Sequence, residues 1–292
     1  MLTALDLRTP RVEVMDGPLG RWVSALWRPP ALARHVSLLW FFDGALNLAR
    51  ERVFPDGTVE LIVHLGPRYR STLADEHRDG YPLLCFNGLR MKAEVIEAPP
   101  GRSRVVGLRL TPCGAAALLR GAHLEACDRT LDLQDVLGGS ARALGEALDQ
   151  GGSPHAVLRA AAAWLGTHLQ QAPPEDPAIG WVCREIERRA GRVSIAALCE
   201  HAGLSPTRLP ARFRAQLGVT PKQWARIVRF KSTLARLAAP EPPALVTLAL
   251  DAGYADQAHF STEFRQMAGM SPGAYLRALR YPNTASLAEA GD

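Results

Sequence analysis

The chain lacks most of the features that would settle its class at a glance. No apolar run reaches the roughly 18 residues of a membrane-spanning helix before a charge or a proline interrupts it. The opening MLTALDLRTPRVE carries acids and arginines and no apolar core, so no secretory signal is expected. Cysteine is scarce and odd in number: five residues, at 85, 113, 127, 183 and 199, with no C-x-x-C pair. That pattern argues against a disulfide framework or a zinc finger and suits a reducing cytoplasm. H-x-H, H-E-x-x-H, P-loop and G-x-G-x-x-G spacings are missing too, which removes the usual ligand patterns of metal and nucleotide enzymes. No metal, cofactor or catalytic residue is expected. The alternative is a small-molecule-binding or metal-dependent β-barrel enzyme with an appended regulatory domain, since His35, His64, His77, His123 and several acids lie in the N-terminal half.

What is present is unevenly spread. The net charge is +5, yet residues 177–292 hold 15 Lys/Arg against 9 Asp/Glu, while residues 1–176 hold 19 against 20. A basic excess confined to one end is the footprint of a polyanion-binding module, with a solvated basic face as the bland alternative. QQAPPEDPAIG (170–180) has three prolines and reads as a linker, and APEPPAL (239–245) is a second break. Before residue 111 the pattern is β: HVSLLWFF and VELIVHL are short, apolar and flanked by turn signals such as Pro55-Asp56-Gly57. EVIEAPPG and SRVVGLRLTP add two strands, and helical stretches follow, the last with Ser153 as N-cap and Pro154 at its first position. The expected class is therefore α+β. Residues 1–170 read as a β-barrel or sandwich with a helical connector, 171–177 as linker, 178–281 as an all-α domain, and 282–292 as a tail.

The all-α part repeats itself. GLSPTRLPARFRAQLGVTPKQWARIV (203–228) and GYADQAHFSTEFRQMAGMSPGAYLRAL (253–279) share one grammar, and Phe213/Phe264, Gly218/Gly269 and Pro221/Pro272 all stand 51 residues apart. Gly203 and Gly253 are expected to turn the chain left-handed between two helices. Ser205 and Asp256 cap the helices that follow. Leu209, Phe213 and Leu217 then face inward, as do Phe260, Phe264 and Met267. Arg208, Ala211, Arg212 and Ala215 face outward in one copy, and Ala258, His259, Thr262, Arg265 and Gln266 in the other. A helix, a tight turn and a second helix with a polar outer face make a helix-turn-helix, whose second helix can enter a DNA major groove.

With these motifs in view, residues 178–281 resemble the DNA-binding domain of the AraC/XylS family of bacterial transcription regulators. The run A-x-x-x-G-Y-x-D-Q-x-H-F-S-x-E-F-R-x-x-x-G-x-S-P-x-x-Y, from Ala249 to Tyr275, carries the resemblance most specifically, with Trp224 standing in the first copy where Tyr275 stands in the second. The resemblance implies a cytoplasmic regulator that binds double-stranded DNA, answers to an unidentified small-molecule effector, and engages a second copy of itself and RNA polymerase, with no membrane partner. It also implies that the first recognition helix reads bases from Thr207, Pro210 and Ala211. Pro210 removes a backbone donor and can kink the helix, and Ala211 offers only a thymine-methyl contact. Arg208, Arg212, Arg214 and Lys222 are left to grip phosphates. In the second helix Gln257, Ala258, His259, Thr262 and Arg265 are the DNA-binding set. Gln257 has a local capping role open to it, and His259 a packed or phosphate-contacting one.

RVFPDGTVELIVHLG and GLRLTPCGAAALL resemble the β-rich sensor domains attached to some members. Here Glu60 and His64 share a strand face, so with Arg109 they are the candidate effector-binding residues. A satisfied core histidine is the other reading of His64, and a surface charge that of Arg109. Cys113, near a helix start, invites a redox role, against that of a small buried residue.

Overall fold

The computed structural model describes residues 7–47, 50–72, 79–119, 121–150, 152–170, 172, 176–279 and 286–289. The linker read at 171–177 lies mostly outside these residues, as do His77 and most of the tail. Strand β1 (Arg11–Gly17) and β2 (Gly20–Trp27) form a hairpin that continues into β3 (Val36–Leu46). Next come β4 (Arg50–Val53), β5 (Val59–His64), β6 (Arg70–Ser71), β7 (Leu84–Asn87), β8 (Glu94–Glu97), β9 (Arg102–Leu110) and β10 (Thr130–Asp132). They build an antiparallel seven-stranded sheet in the order β1-β2-β3-β9-β5-β7-β10. A four-stranded sheet has the order β11-β4-β8-β6, where β11 is Ser286–Glu289 from the segment read as a tail.

Strand alternation decides which residues reach the core. Leu61 and Val63 on β5, Val106 and Leu108 on β9, and Leu39 and Phe41 on β3 are all buried on one face. The helices behind the strands, α1 (Pro112–Leu119), α2 (Leu133–Leu137), α3 (Gly139–Asp149) and α4 (Pro154–Leu169), complete that core through Leu118, Leu144, Leu158 and Leu165. The opposite face carries Glu60, Ile62 and His64. There Gly107 leaves room for Trp40, whose ring would lie 2.0 Å from a Cβ at that position.

The C-terminal part is α5 (Pro177–Arg188), α6 (Ile195–Ala202), α7 (Arg208–Leu217), α8 (Pro221–Leu237), α9 (Leu245–Asp251), α10 (Gln257–Ala268) and α11 (Pro272–Ala278). Starts and stops are written locally. Thr220 and Gln223 form a capping box for α8, and Asp256 and Ser271 accept backbone N–H bonds at the starts of α10 and α11. Gly203, Gly218, Gly253 and Gly269 all adopt positive φ. Phe213, Phe260 and Phe264 are fully buried, and Trp224 and Tyr275 occupy equivalent buried places.

The two parts share one hydrophobic core. Phe54, just after β4, sits edge-on to both Phe230 and Tyr275, at 6.3 and 5.7 Å between ring centroids. Gly57 lies against the Trp224 ring. Among the described residues no helix is long and apolar enough to cross a membrane.

Candidate nucleic-acid interface and effector face

Helix α7 follows the turn after α6 and buries Leu209, Phe213 and Leu217, so its remaining residues face outward by geometry. Thr207 already has right-handed helical φ and ψ and does not cap. Ser205 caps instead, its Oγ accepting the Arg208 N–H at 3.2 Å. Pro210 does not interrupt the helix, which runs from Arg208 to Leu217 with the proline in its first turn, where missing donors cost least. Thr207, Arg208, Ala211, Arg212 and Arg214 are exposed, as is Lys222 in the first turn of α8. Arg212 is not free. Its Nε donates to Asp176 Oδ2 at 2.9 Å, and its Nη2 reaches the same oxygen.

Helix α10 presents Gln257, Ala258, His259, Thr262 and Arg265 to solvent. The side chains of Gln257, Thr262 and Arg265 have no hydrogen-bond or ion-pair partner among the described residues, so the capping alternative for Gln257 is not used. His259 stands edge-on to Tyr254 at 5.4 Å, and its Nδ1 accepts the Ala255 N–H at 3.4 Å. The ring proton of the neutral form is thereby placed on Nε2, leaving a donor able to meet a base acceptor. Glu263, between these residues, points back and pairs with Arg226 of α8.

In the β-rich domain the structure joins two of the three candidate effector residues. Glu60 and Arg109 are cross-strand partners on β5 and β9, and Arg109 Nε donates to Glu60 Oε1 at 2.9 Å. The same carboxylate oxygen accepts Trp40 Nε1 at 2.5 Å, and Arg109 Nη1 reaches Asp56 Oδ2 at 3.4 Å. Arg109 is thus a half-buried ion-pair member rather than a surface charge, and Glu60 strengthens its hold on its proton. His64 stands apart, four residues along β5, or roughly 13 Å. It stacks on Tyr69 at 5.8 Å, its Nδ1 has no partner, and burial followed by the Arg68 charge lowers its pKa to about 4. Cys113 lies in the first turn of α1, on a groove that also holds Arg212 and Asp176. Among the described residues no cluster of His, Cys, Asp and Glu has a metal-binding arrangement.

Three groups with long-range contacts escape sequence reasoning. Asp176 was readable as an N-cap, an Asp-Pro step before an apolar periodic run, but its bond to Arg212 spans 36 residues. Arg52 and His123 carry no local signal, and their contacts lie in the other domain. The letters Gly269-Met270-Ser271-Pro272-Gly273 spell a hydrolase nucleophile motif, yet they join two helices rather than a strand and a helix, and Ser271 Oγ caps α11.

Comparison with known proteins matches two separate stretches of the chain. Residues 198–278 match a helix-turn-helix domain model, and residues 28–132 match a domain of unknown function (DUF6597). The arabinose operon regulatory proteins of Salmonella typhimurium and Escherichia coli K12 are each 30% identical over 105 residues, which is 35% of this chain and 37% and 36% of theirs. The matched stretch therefore spans little more than a third of these relatives. Among solved structures, ToxT from Vibrio cholerae aligns over 82% of this chain and 99% of its own, at 11% identity and a TM-score of 0.45.

Proposed function

We infer that this chain, whose residues 198–278 form an AraC-type helix-turn-helix domain, is a DNA-binding transcription regulator in which α7 and α10 are the two recognition helices. One observation carries the reading: two helices 51 residues apart in the sequence each bury an aromatic side and expose a polar one. The basic excess of residues 177–292 supplies the electrostatic attraction such helices need. Arg208, Arg214 and Lys222 hold phosphates, and Gln257, His259, Thr262 and Arg265 meet base edges. The test is selection of bound fragments from random double-stranded DNA by the full chain, followed by a salt titration. An enriched motif whose binding falls steeply with salt is expected; no retained fragment even at low salt would refute the reading.

In the same reading the β-rich domain is the effector-responsive part, and the effector sits on the Glu60, His64 and Arg109 face. A ligand there competes for the Glu60–Arg109 pair, so a metabolite that raises the melting temperature of the wild type should fail to do so for Glu60→Gln. A second copy and RNA polymerase complete the assembly in the cytoplasm. Sedimentation and in vitro transcription from a selected site test those two partners.

A further inference from the structure

The two recognition helices end against the β-rich domain in the same manner. At the end of α7, Nε2 of His123, in the 3-10 turn Ala122–Leu124, lies 3.2 Å from the Ala215 carbonyl oxygen. At the end of α10, Nη1 of Arg52 donates to the Ala268 carbonyl at 3.3 Å, and the Ala93 N–H donates to the Met267 carbonyl at 2.7 Å. These carbonyls belong to last turns, where no helical N–H is left to receive. They also form the negative end of the helix dipole, which favours a guanidinium beside it.

The glycines that end the two helices complete the match. A Cβ at Gly218 would stand 2.7 Å from the His123 carbonyl oxygen, and one at Gly269 would stand 2.5 Å from Arg52 Nη1. Positive φ at both positions explains a glycine in any helix-turn-helix copy. At Gly218 the close approach of the other domain's backbone requires it a second time, whereas at Gly269 the neighbour is the flexible end of Arg52, which can shift.

The two anchoring points come from separate parts of the β-rich domain. His123 follows α1, whereas Arg52 and Ala93 sit at the paired ends of β4 and β8, where Val53 faces Glu94. Within the C-terminal part, α8 bridges the two units, tied to α10 by the Arg226–Glu263 pair. Resting on the DNA-binding reading above, we propose that His123 and Arg52 are positioning residues: through them the β-rich domain sets the separation of α7 and α10, and so the spacing between the two blocks of base pairs the protein reads. A ligand that moves β4 and β8 relative to residues 122–124 would then act on DNA by changing the preferred spacing.

The experiment uses the full chain and a DNA library selected by the wild type, Arg52→Ala, Arg52→Gln, Arg52→Lys, His123→Leu and His123→Gln, each checked for cooperative melting. The readout is the length of the spacer between the two enriched blocks, then affinity for probes one base pair longer or shorter. The wild type is expected to favour one spacer. In Arg52→Ala, and in Arg52→Gln, whose side chain is too short to bring its amide donor to the Ala268 carbonyl, that preference should shrink about fivefold, while the sequence of each block stays the same. Arg52→Lys and His123→Gln, which keep a donor, should restore most of it. A merely structural role would lower affinity for every spacer alike, and that result, or an unchanged preference in folded Arg52→Ala and Arg52→Gln, overturns the proposal while leaving the DNA-binding reading intact. A wild type that enriches no sequence overturns both.

Discussion

The two helix-turn-helix units share an interior and differ at the surface. Inside, Leu209, Phe213 and Leu217 in one copy and Phe260, Phe264 and Met267 in the other fill the same kind of core beneath Trp224 and Tyr275. Outside, α7 shows Pro210 and Ala211, which offer no hydrogen bond to a base, and one of its arginines is occupied by Asp176. Helix α10 shows an amide, a hydroxyl and a guanidinium without partners among the described residues, beside a histidine whose Nδ1 accepts a backbone N–H. The fold restricts the inward residues because every one of them is close-packed. It leaves the outward ones open. A duplicated unit can therefore keep its shape while only one copy keeps a full set of groups suited to reading bases.

The interior half of that comparison predicts the largest effect. Truncating a buried phenylalanine costs about 3–5 kcal/mol. Among the described residues Phe213 has no aromatic ring against it, whereas Phe264 lies 5.3 Å from Phe230, 5.7 Å from Phe260 and 5.9 Å from Tyr275. Two of those partners, Phe230 and Tyr275, also touch Phe54 of the β-rich domain. Phe264→Ala should thus sit at the upper end of the range and Phe213→Ala at the lower, read from urea denaturation of the full chain. Equal losses would mean that the aromatic cluster adds nothing beyond burial.

These units also show which parts of the structure a sequence can disclose. Ser205, Asp256 and Ser271 act within three residues of themselves, and Leu209, Phe213 and Leu217 recur at helical spacing, so caps, turns and inward faces were all readable. The β-rich domain was legible only as a set of strands. Its β1–β2 hairpin, β10 and the short α2 were not singled out, and the pairing of β3 with β9 joins segments about sixty residues apart in the sequence, which no periodicity reveals. The site followed the same division. The exposure of Gln257, Thr262 and Arg265 came from local phase, whereas the Glu60–Arg109 pair depends on a register 49 residues long. Arg212 looked like a free phosphate contact because its partner, 36 residues away, lies in the segment read as linker.

The surface half predicts the next effect in size. Thr262→Ala or Gln257→Ala should relax preference at particular base pairs, costing about 1–3 kcal/mol of discrimination at each. Arg208→Ala should weaken specific and nonspecific DNA alike and reduce the salt slope by about one unit. Binding-site selection on the single variants separates the two patterns. If Arg208→Ala or Arg212→Ala changes the selected sequence while Thr262→Ala and Gln257→Ala leave it intact, α7 is the reader and the comparison is reversed.

Acid should separate the units as well. Burial holds the His123 imidazole below its ordinary pKa of 6.5, and its bond to Ala215 opposes this only in part. Below pH 6.5 an undocked histidine takes up a proton that the docked one refuses, so contact with α7 is fully favoured above that value and weakens as pH falls towards the lower one. Docking of α10 uses an arginine and a backbone amide, which change no charge in this range. Hydrogen exchange between pH 7 and 5, corrected for intrinsic rates, should show amides after Gly218 losing protection while those after Gly269 keep theirs. Equal changes at both glycines would remove His123 as the cause.

The smallest expected effect concerns the carboxylate that holds Arg212. Asp176 does two jobs: one oxygen caps α5 through the Ala178 and Ile179 N–H groups, and the other pairs with Arg212 on the outer face of α7. Asparagine caps helices about as well as aspartate, so Asp176→Asn should leave α5 in place while removing the charge. An exposed pair of this kind is worth about 0.2–1 kcal/mol, which bounds what a phosphate must overcome to recruit the arginine. DNA affinity should therefore rise about two- to fivefold at low salt in Asp176→Asn, by the same arithmetic, and the gain should fade as salt screens the pair. In an Arg212→Ala background the substitution should yield only the smaller gain of a lost negative charge. If Asp176→Asn raises affinity equally with and without Arg212, the arginine does not reach DNA, and α7 is poorer in contacts than its exposed face suggests.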